Sequence, residues 1–178
     1  MDTKILIAGF GGQGILFTGK FLAYESLMAE KEVSWLPSYG PEMRGGTANC
    51  SIIISDTTIG SPIVDKPDLL IAMNAPSFDK YENAVVPGGK IFLDSSLIEK
   101  KVTRTDVEAY SIPATAMASD NGLSGLANMI MIGCVIKNSG IMTMDDAKAA
   151  MEKLVPAKKQ EMLALNIQAM ELGYNYKA

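Results

Sequence analysis

Apolar and polar positions along this chain alternate in short blocks that predict strands and in longer blocks that predict helices. Residues 4–8 are almost entirely apolar, which is typical of a strand buried on both faces. Residues 14–30 carry apolar side chains at helical spacing, whereas residues 47–55 alternate between polar and apolar as a half-buried strand does. Further strands are predicted at residues 32–36, 68–73, 90–93 and 106–112, with an antiparallel edge strand near residues 58–64.

The second half of the chain is predicted to be mainly helical. A short helix begins at Pro76 and runs to about residue 85, because proline is favoured in the first helical turn. Beyond Pro113, three helices are expected, near residues 123–138, 144–154 and 157–172. Thr143 is expected to cap the second of these. This order of elements predicts one α/β domain over residues 1–178, with a Rossmann-like open, mostly parallel sheet, flanking helices and a helical C-terminal part.

The composition fits one globular domain and disfavours several classes of partner. The chain has 178 residues, of which 48% are hydrophobic, and a formal net charge of −4. Its Lys and Arg residues are scattered, so no basic stripe follows a nucleic acid backbone. The longest apolar stretch, residues 126–136, is too short to span a bilayer, and no export signal is apparent. We therefore expect a cytoplasmic domain that binds neither nucleic acid nor membrane.

The chain carries few of the side chains that catalyse reactions or bind metals. It has no histidine, the commonest general base, and only two cysteines, Cys50 and Cys134. Both cysteines lie in sequence contexts typical of buried positions, and two are too few to ligate an iron–sulfur cluster. We expect no metal site and assign no catalytic residue.

A glycine-rich turn follows the first strand. Residues 9–14, Gly-Phe-Gly-Gly-Gln-Gly, match the G-x-G-x-x-G pattern. A dinucleotide site also needs an acidic residue after the second strand, where this chain has Trp-Leu-Pro-Ser at residues 35–38. Residues 14–20 partly match a phosphate loop, but Phe21 replaces the hydroxyl that would hold magnesium. NAD and phosphate-loop binding are thus disfavoured, and two interpretations remain: the turn holds an anionic group, or it packs a helix tightly on the sheet.

Four segments are expected to meet where the strands end, at residues 9–14, 39–46, 74–77 and 94–96. Ligands of open α/β sheets bind outside the carboxyl ends of the strands, so these segments predict one crevice. For the last two segments, the alternative is an ordinary polar connection. Arg44 would offer a planar fork to a carboxylate or phosphate, or it pairs with Glu42 or Asp56 at the surface. Asn128, inside an apolar helix, is expected to make a structural hydrogen bond to a neighbouring loop.

Several blocks of this sequence resemble one protein family. They are residues 9–14, residues 38–50 (Ser-Tyr-Gly-Pro-Glu-Met-Arg-Gly-Gly-Thr-Ala-Asn-Cys), residues 72–77 (Ala-Met-Asn-Ala-Pro-Ser), residues 94–96 and Asn128-Met129. Together they resemble the gamma subunit of 2-oxoacid:ferredoxin oxidoreductases, and the overall form is most like the 2-oxoglutarate type. The similarity covers most of the chain, and residues 38–50 are its most specific part.

The resemblance implies a subunit of a complex that decarboxylates a 2-oxoacid, reduces ferredoxin and leaves an acyl-CoA. In that family, thiamine diphosphate lies between the alpha and beta subunits, and other chains hold the iron–sulfur clusters. This chain alone would bind none of these cofactors. Its partners would be the alpha and beta subunits, optionally a ferredoxin-like delta subunit, and ferredoxin. Its own contribution would be a subunit interface and contacts on the coenzyme A side.

Carried over by position, the resemblance assigns roles to two sets of residues. The residues expected to contact a cofactor in the crevice are Gly11, Gly12, Gln13, Arg44 and Asn49. The residues expected to contact a partner subunit are Tyr39, Pro41, Glu42 and Met43. No residue is assigned as base or nucleophile, because thiamine chemistry supplies its own carbanion. The alternative function is a free-standing Rossmann-like nucleotide-binding dehydrogenase or regulator. We also expect that the isolated chain can self-associate through an apolar partner surface.

Overall fold

The computed structural model of the chain describes residues 1–39 and 47–177. Within these residues, six strands form one sheet in the order β2-β3-β1-β4-β5-β6. The strands are β1 (Thr3–Phe10), β2 (Glu32–Tyr39), β3 (Thr47–Ser55), β4 (Leu69–Ala72), β5 (Lys90–Asp94) and β6 (Glu108–Ile112). The helices are α1 (Ile15–Met28), α2 (Ala75–Tyr81), α3 (Ala114–Asp120), α4 (Ala127–Ser139), α5 (Met144–Leu154) and α6 (Gln160–Asn175). Short 3₁₀ turns occupy Glu82–Ala84 and Ala157–Lys159.

Five of the six strands point in the same direction. β1, β4, β5 and β6 pair in parallel, whereas β3 is antiparallel to both of its neighbours, β1 and β2. The prediction of a mostly parallel α/β sheet with a helical C-terminal part is confirmed. The strand ends of β1, β2, β4, β5 and β6 therefore lie at one edge, which we call the carboxyl edge.

Both faces of the sheet are covered, as the apolar run of β1 predicts. Ile5 and Ile7 belong to the large core under α1, α4, α5 and α6, which also contains Phe92. Leu6, between them, points to the smaller core under α2, where Phe78 is buried. Alternate residues of one strand thus serve two cores.

α4 and α6 pack unusually closely. Gly133 of α4 faces the backbone of Met170, and Gly173 of α6 faces the backbone of Ile130. A β-carbon at either glycine would overlap the opposite helix, so the close approach depends on both residues. None of the helices in the described parts of the chain is long and apolar enough to cross a bilayer.

The sequence predictions differ from the structure at particular points. β2 does not stop before Pro37 but continues to Tyr39, which is compatible with proline because β2 is an edge strand. Residues 58–64 are not a strand, so that prediction is wrong; Gly60 and Pro62 weaken strand pairing there. The helix predicted from Pro76 ends at Tyr81 and continues as a 3₁₀ turn.

Two of the C-terminal predictions can be compared directly with the structure. The helix starting at Met144 has the predicted bounds, and Thr143 caps it in a reciprocal capping box with Asp146. The helix predicted near residues 123–138 begins later, at Ala127, and α3 precedes it as a separate short helix.

Candidate functional site at the carboxyl edge

The carboxyl edge carries three of the four predicted crevice segments, residues 9–14, 74–77 and 94–96. In the sheet register, Phe10 pairs with Thr47, and Tyr39 pairs with Ala48, so the ends of β1 and β2 and the start of β3 are adjacent. Ala72, at the end of β4, pairs with Ala8. The segment that carries Pro41, Glu42, Met43 and Arg44 lies outside the described residues.

The glycine-rich turn is built from residues with different tasks. Gly12 has a φ of 94°, and a β-carbon there would meet nothing within 4 Å, so the backbone faces open space. Gly9 lies deep in the turn, where a β-carbon would lie 2.9 Å from that of Met73. Gly14 has a φ of 74° and lies against the side-chain amide of Asn128. Gly9 and Gly14 are thus explained by packing, while Gly12 is the exposed point of the turn.

Gln13 fastens this turn to the end of β4. Its Nε2 donates to the carbonyl oxygen of Met73 at 2.9 Å, and its Oε1 accepts from the N–H of Phe10 at 2.6 Å. Both ends of the side-chain amide are therefore engaged within the protein. Gln13 holds the shape of the turn on which Gly11 and Gly12 lie.

Asn49 lies next to this turn on β3, where it pairs with Ala8 of β1. With Ser77, Lys80 and Tyr81 of α2 it lines a narrow cleft, which we call the Asn49 cleft. The Lys80 ammonium is 5.1 Å from the centre of the Tyr81 ring. Sequence reasoning missed Lys80, although its distance of one helical turn from Pro76 placed it near the same edge.

The two remaining segments are held by internal hydrogen bonds. Asn74 caps α2 by accepting from the N–H of Ser77 at 2.9 Å. Asp94 is fully buried and accepts from the Ser96 N–H at 3.0 Å and from the Thr115 hydroxyl at 2.5 Å. Residues 94–96 therefore anchor the start of α3, which favours the structural interpretation of that segment.

The two cysteines are buried and free, as their sequence contexts predict. Burial raises the pKa of the Cys50 thiol to about 12 and also raises the pKa of Cys134. In the described ranges, 1–39 and 47–177, no three His, Cys, Asp or Glu side chains are grouped so that they could hold a metal ion.

The geometry also bears on the two nucleotide motifs. Gly19 and Lys20 lie inside α1, so the partial phosphate-loop match is a stretch of helix. In a dinucleotide-binding fold, the acidic residue lies on the strand beside β1. Here, the antiparallel strand β3 separates β1 from β2.

Asn128 makes the predicted structural contacts, since its Nδ2 donates to the Thr18 hydroxyl at 3.1 Å and to the Gly14 carbonyl at 3.4 Å.

Comparison with known proteins gives a consistent result. Residues 4–176 match the family described as pyruvate ferredoxin/flavodoxin oxidoreductase. The chain is 37% identical, over 97% of its length, to ketoisovalerate oxidoreductase subunit VorA of Methanothermobacter thermautotrophicus, but it spans only 36% of that protein. It is 34% identical to 2-oxoglutarate synthase subunit KorC of Methanocaldococcus jannaschii, with 98% of this chain and 93% of KorC covered.

Solved structures show the same relationship. The gamma subunit of keto/oxoacid ferredoxin oxidoreductase from Geobacter sulfurreducens superposes with a TM-score of 0.81 and 26% identity, covering 97% of this chain and 96% of that one. The 2-oxoglutarate:ferredoxin oxidoreductase of Magnetococcus marinus, solved with 2-oxoglutarate, coenzyme A and succinyl-CoA bound, gives a TM-score of 0.87 and 25% identity. Here, 97% of this chain covers 30% of the other. The chain belongs to the pyruvate ferredoxin/flavodoxin oxidoreductase family, and its fold is that of the solved gamma subunit.

Proposed function

We propose that this chain is the gamma subunit of a 2-oxoacid:ferredoxin oxidoreductase complex. The observation that carries the proposal is the family match over residues 4–176, together with nearly end-to-end similarity to KorC and to a solved gamma subunit. The complex would convert a 2-oxoacid such as 2-oxoglutarate to an acyl-CoA and pass the electrons to ferredoxin. Relatives named for ketoisovalerate and for 2-oxoglutarate are similarly close, and the substrate pocket would lie largely on the other chains.

The catalytic cofactors would be bound by partner subunits. Thiamine diphosphate would lie between the alpha and beta subunits, and the iron–sulfur clusters would be held by chains with more cysteines than Cys50 and Cys134. Thiamine diphosphate supplies the carbanion that attacks the 2-oxoacid. This chain would therefore act by binding and positioning.

The carboxyl edge has features that suit coenzyme A, a polyanion. The backbone at Gly12 faces open space, so a ligand can approach it closely. α1 starts beside it without a side-chain cap, and the free N–H groups of a helix start favour anions. Lys80 adds a cation in the Asn49 cleft. We therefore propose Gly11, Gly12, Asn49 and Lys80 as the described part of the coenzyme A side, with Arg44 completing it and Gln13 positioning the turn.

The edge strand β2 leads into the proposed interface. Trp35 and Leu36 are 39% and 43% exposed, although both are large apolar side chains. Such exposure on an edge strand is typical of a surface that another chain covers. We propose that the partner subunit contacts this strand together with Tyr39, Pro41, Glu42 and Met43, which follow it in the sequence.

The alternative function, a free-standing nucleotide-binding dehydrogenase or regulator, is not favoured. Its sequence signature lacks the acidic residue after β2, and β2 is not the neighbour of β1.

The proposed coenzyme A side is tested by kinetics of the purified complex. Lys80→Ala and Arg44→Ala should each raise KM for coenzyme A about threefold to tenfold with kcat nearly unchanged, because each removes an ionic contact present in ground state and transition state alike. Lys66→Ala is the matched control, because Lys66 is an exposed cation that precedes the start of β4 and so lies at the opposite end of that strand from the carboxyl edge. An unchanged KM in both variants would contradict the assignment.

A further inference from the structure

A second cavity lies between the first turns of α1 and α6. We call it the Phe17 pocket; its main lining residues are Phe17, Leu126, Leu154, Pro156, Lys159 and Met162. Its volume is about 380 Å³, which is more than one large side chain fills. No described residue that lines the Asn49 cleft also lines this pocket, so the two are separate features of the surface.

The two amide side chains that line this pocket are used within the protein. Asn128 Nδ2 donates to Gly14 and Thr18 of α1, and Asn128 Oδ1 is enclosed. Asn166 Nδ2 donates to the carbonyl oxygen of Met162 at 2.8 Å, within α6. A small polar ligand is usually held by several convergent polar groups. Among the described lining residues, only Lys159 has a polar side chain that is not engaged in this way, which favours an apolar occupant with one anionic group.

Apolar side chains on two walls of the pocket are open to solvent. Phe17 of α1 is 39% exposed, and Met162 of α6 is 49% exposed. Apolar side chains that are exposed singly are ordinary, but these two line the same cavity and so form one patch. Aromatic rings and methionine are enriched where protein chains meet, because the ring offers a large rigid area and methionine adapts to its neighbour. The patch is therefore typical of a contact surface for another chain.

The rim of this patch is positively charged, although the chain carries a net charge of −4. Lys159 lines the pocket and is exposed. Lys20 is also exposed and lies three residues beyond Phe17, on the same side of α1. Glu161 directly precedes Met162 in α6, and adjacent residues of a helix do not share a side. The charge around the pocket thus complements carboxylates rather than cations.

We propose that the Phe17 pocket docks an acidic segment of a partner subunit. An apolar side chain of that segment enters between Phe17 and Met162, and an aspartate or glutamate beside it pairs with Lys159. A small ligand such as a fatty acid would be buried over most of its surface, whereas the walls here are open. This surface is additional to the one proposed at β2. The inference rests on the function proposed above, which supplies the partner subunits.

Site-specific photo-crosslinking in the purified complex identifies the occupant. With p-benzoylphenylalanine in place of Met162, irradiation should cross-link the chain to one segment of a partner subunit. That segment should contain a large apolar residue with Asp or Glu within one helical turn of it. Leu27, 57% exposed on α1 but not lining the pocket, is the control position and should give no cross-link to that segment. A cross-link to a second copy of this chain, to a lipid, to a segment without acidic residues or to no other molecule would overturn the proposal.

Variants of exposed residues test the two parts of the contact. Reassembly of the complex from the tagged full chain and the remaining subunits should weaken at least tenfold for Phe17→Asp, which places a charge against an apolar and acidic segment. It should weaken about threefold to tenfold for Lys159→Glu, and less at high salt because the charges are screened. Lys101→Glu, exposed in the connection between β5 and β6, is the matched control and should leave assembly unchanged.

Circular dichroism of each variant reports its folding, and a charge exchange tests the pairing itself. Changing the acid of the cross-linked segment to Lys should restore assembly of Lys159→Glu. Failure of this rescue, or equal assembly of the parent chain and Phe17→Asp, would contradict the docking surface.

Failure of this inference can be distinguished from failure of the proposed function. If the parent chain co-purifies with subunits that oxidise a 2-oxoacid, but position 162 cross-links to none of them, the docking surface is wrong and the function stands. If no such subunits are recovered with the parent chain, the proposed function is wrong and the docking surface fails with it.

Discussion

The close packing of α4 against α6 leads to a quantitative prediction for Gly133→Ala. A β-carbon on Gly133 would lie 2.7 Å from the backbone nitrogen of Tyr174 and 2.8 Å from the carbonyl carbon of Met170. These are backbone atoms of α6, so they cannot rotate away as a side-chain tip would. The two helices must therefore separate to accept the methyl group.

Two opposing terms set the size of the effect. Alanine is favoured over glycine inside a helix by roughly 1 kcal/mol. Overpacking of a core costs typically about 1–3 kcal/mol, and we expect the upper end because the overlap is with backbone. The net loss in the free energy of unfolding is then about 2 kcal/mol, which corresponds to a fall in Tm of roughly 4–8 °C for a chain of this size.

Urea and thermal unfolding of the full chain, followed by circular dichroism, measure this effect. Gly60→Ala is the matched control, because a β-carbon there would meet nothing within 4 Å; it should change stability by less than about 0.5 kcal/mol. A Gly133→Ala variant as stable as the parent, or more stable, would refute the inference that this glycine permits the helix contact.

Three further predictions concern a cap, a buried acid and the thiols. Thr143→Ala breaks the capping box of α5 and should cost about 1 kcal/mol, a fall in Tm of roughly 2–4 °C, whereas Thr143→Ser should not. Burial, with a smaller contribution from Asp146, raises the pKa of Glu25 above its ordinary value of 4.5, so the folded state holds this proton to higher pH and loses stability as pH rises from about 4.5 through the raised pKa. Glu25→Gln should remove that loss. Urea unfolding at acid and neutral pH measures it, and an equal fall in the free energy of unfolding of both proteins between the two pH values would contradict the prediction. Because Cys50 and Cys134 are buried with raised pKa values, DTNB should modify neither at pH 8 until urea unfolds the chain.

Local sequence patterns predicted the elements that local forces determine. The bounds of β3 and α5 agree with the prediction because strict alternation marks the strand and Thr143 marks the helix start. The sequence predicts that β2 ends at residue 36, but the strand continues to Tyr39. Pro37 would interrupt a central strand but not an edge strand, and whether a strand is at the edge depends on the whole sheet. The insertion of β3 between β1 and β2 is likewise a long-range pairing that no local pattern reports.

The candidate site divides in the same way. The glycine turn could be located from residues 9–14, because the pattern follows a buried strand. The separate tasks of its glycines could not, because Gly14 is shaped by Asn128, which is 114 residues away in sequence. Lys80 lies in no motif; its spacing from Pro76 places it near the carboxyl edge, but only the tertiary structure shows that it lines a cleft with Asn49.

Affinity purification of the tagged full chain from its native host tests the central claim most directly. We predict co-purification with larger subunits, iron–sulfur absorbance, bound thiamine diphosphate, and oxidation of a 2-oxoacid that requires coenzyme A and a low-potential acceptor. A chain recovered without partners that binds NADH tightly would contradict the account.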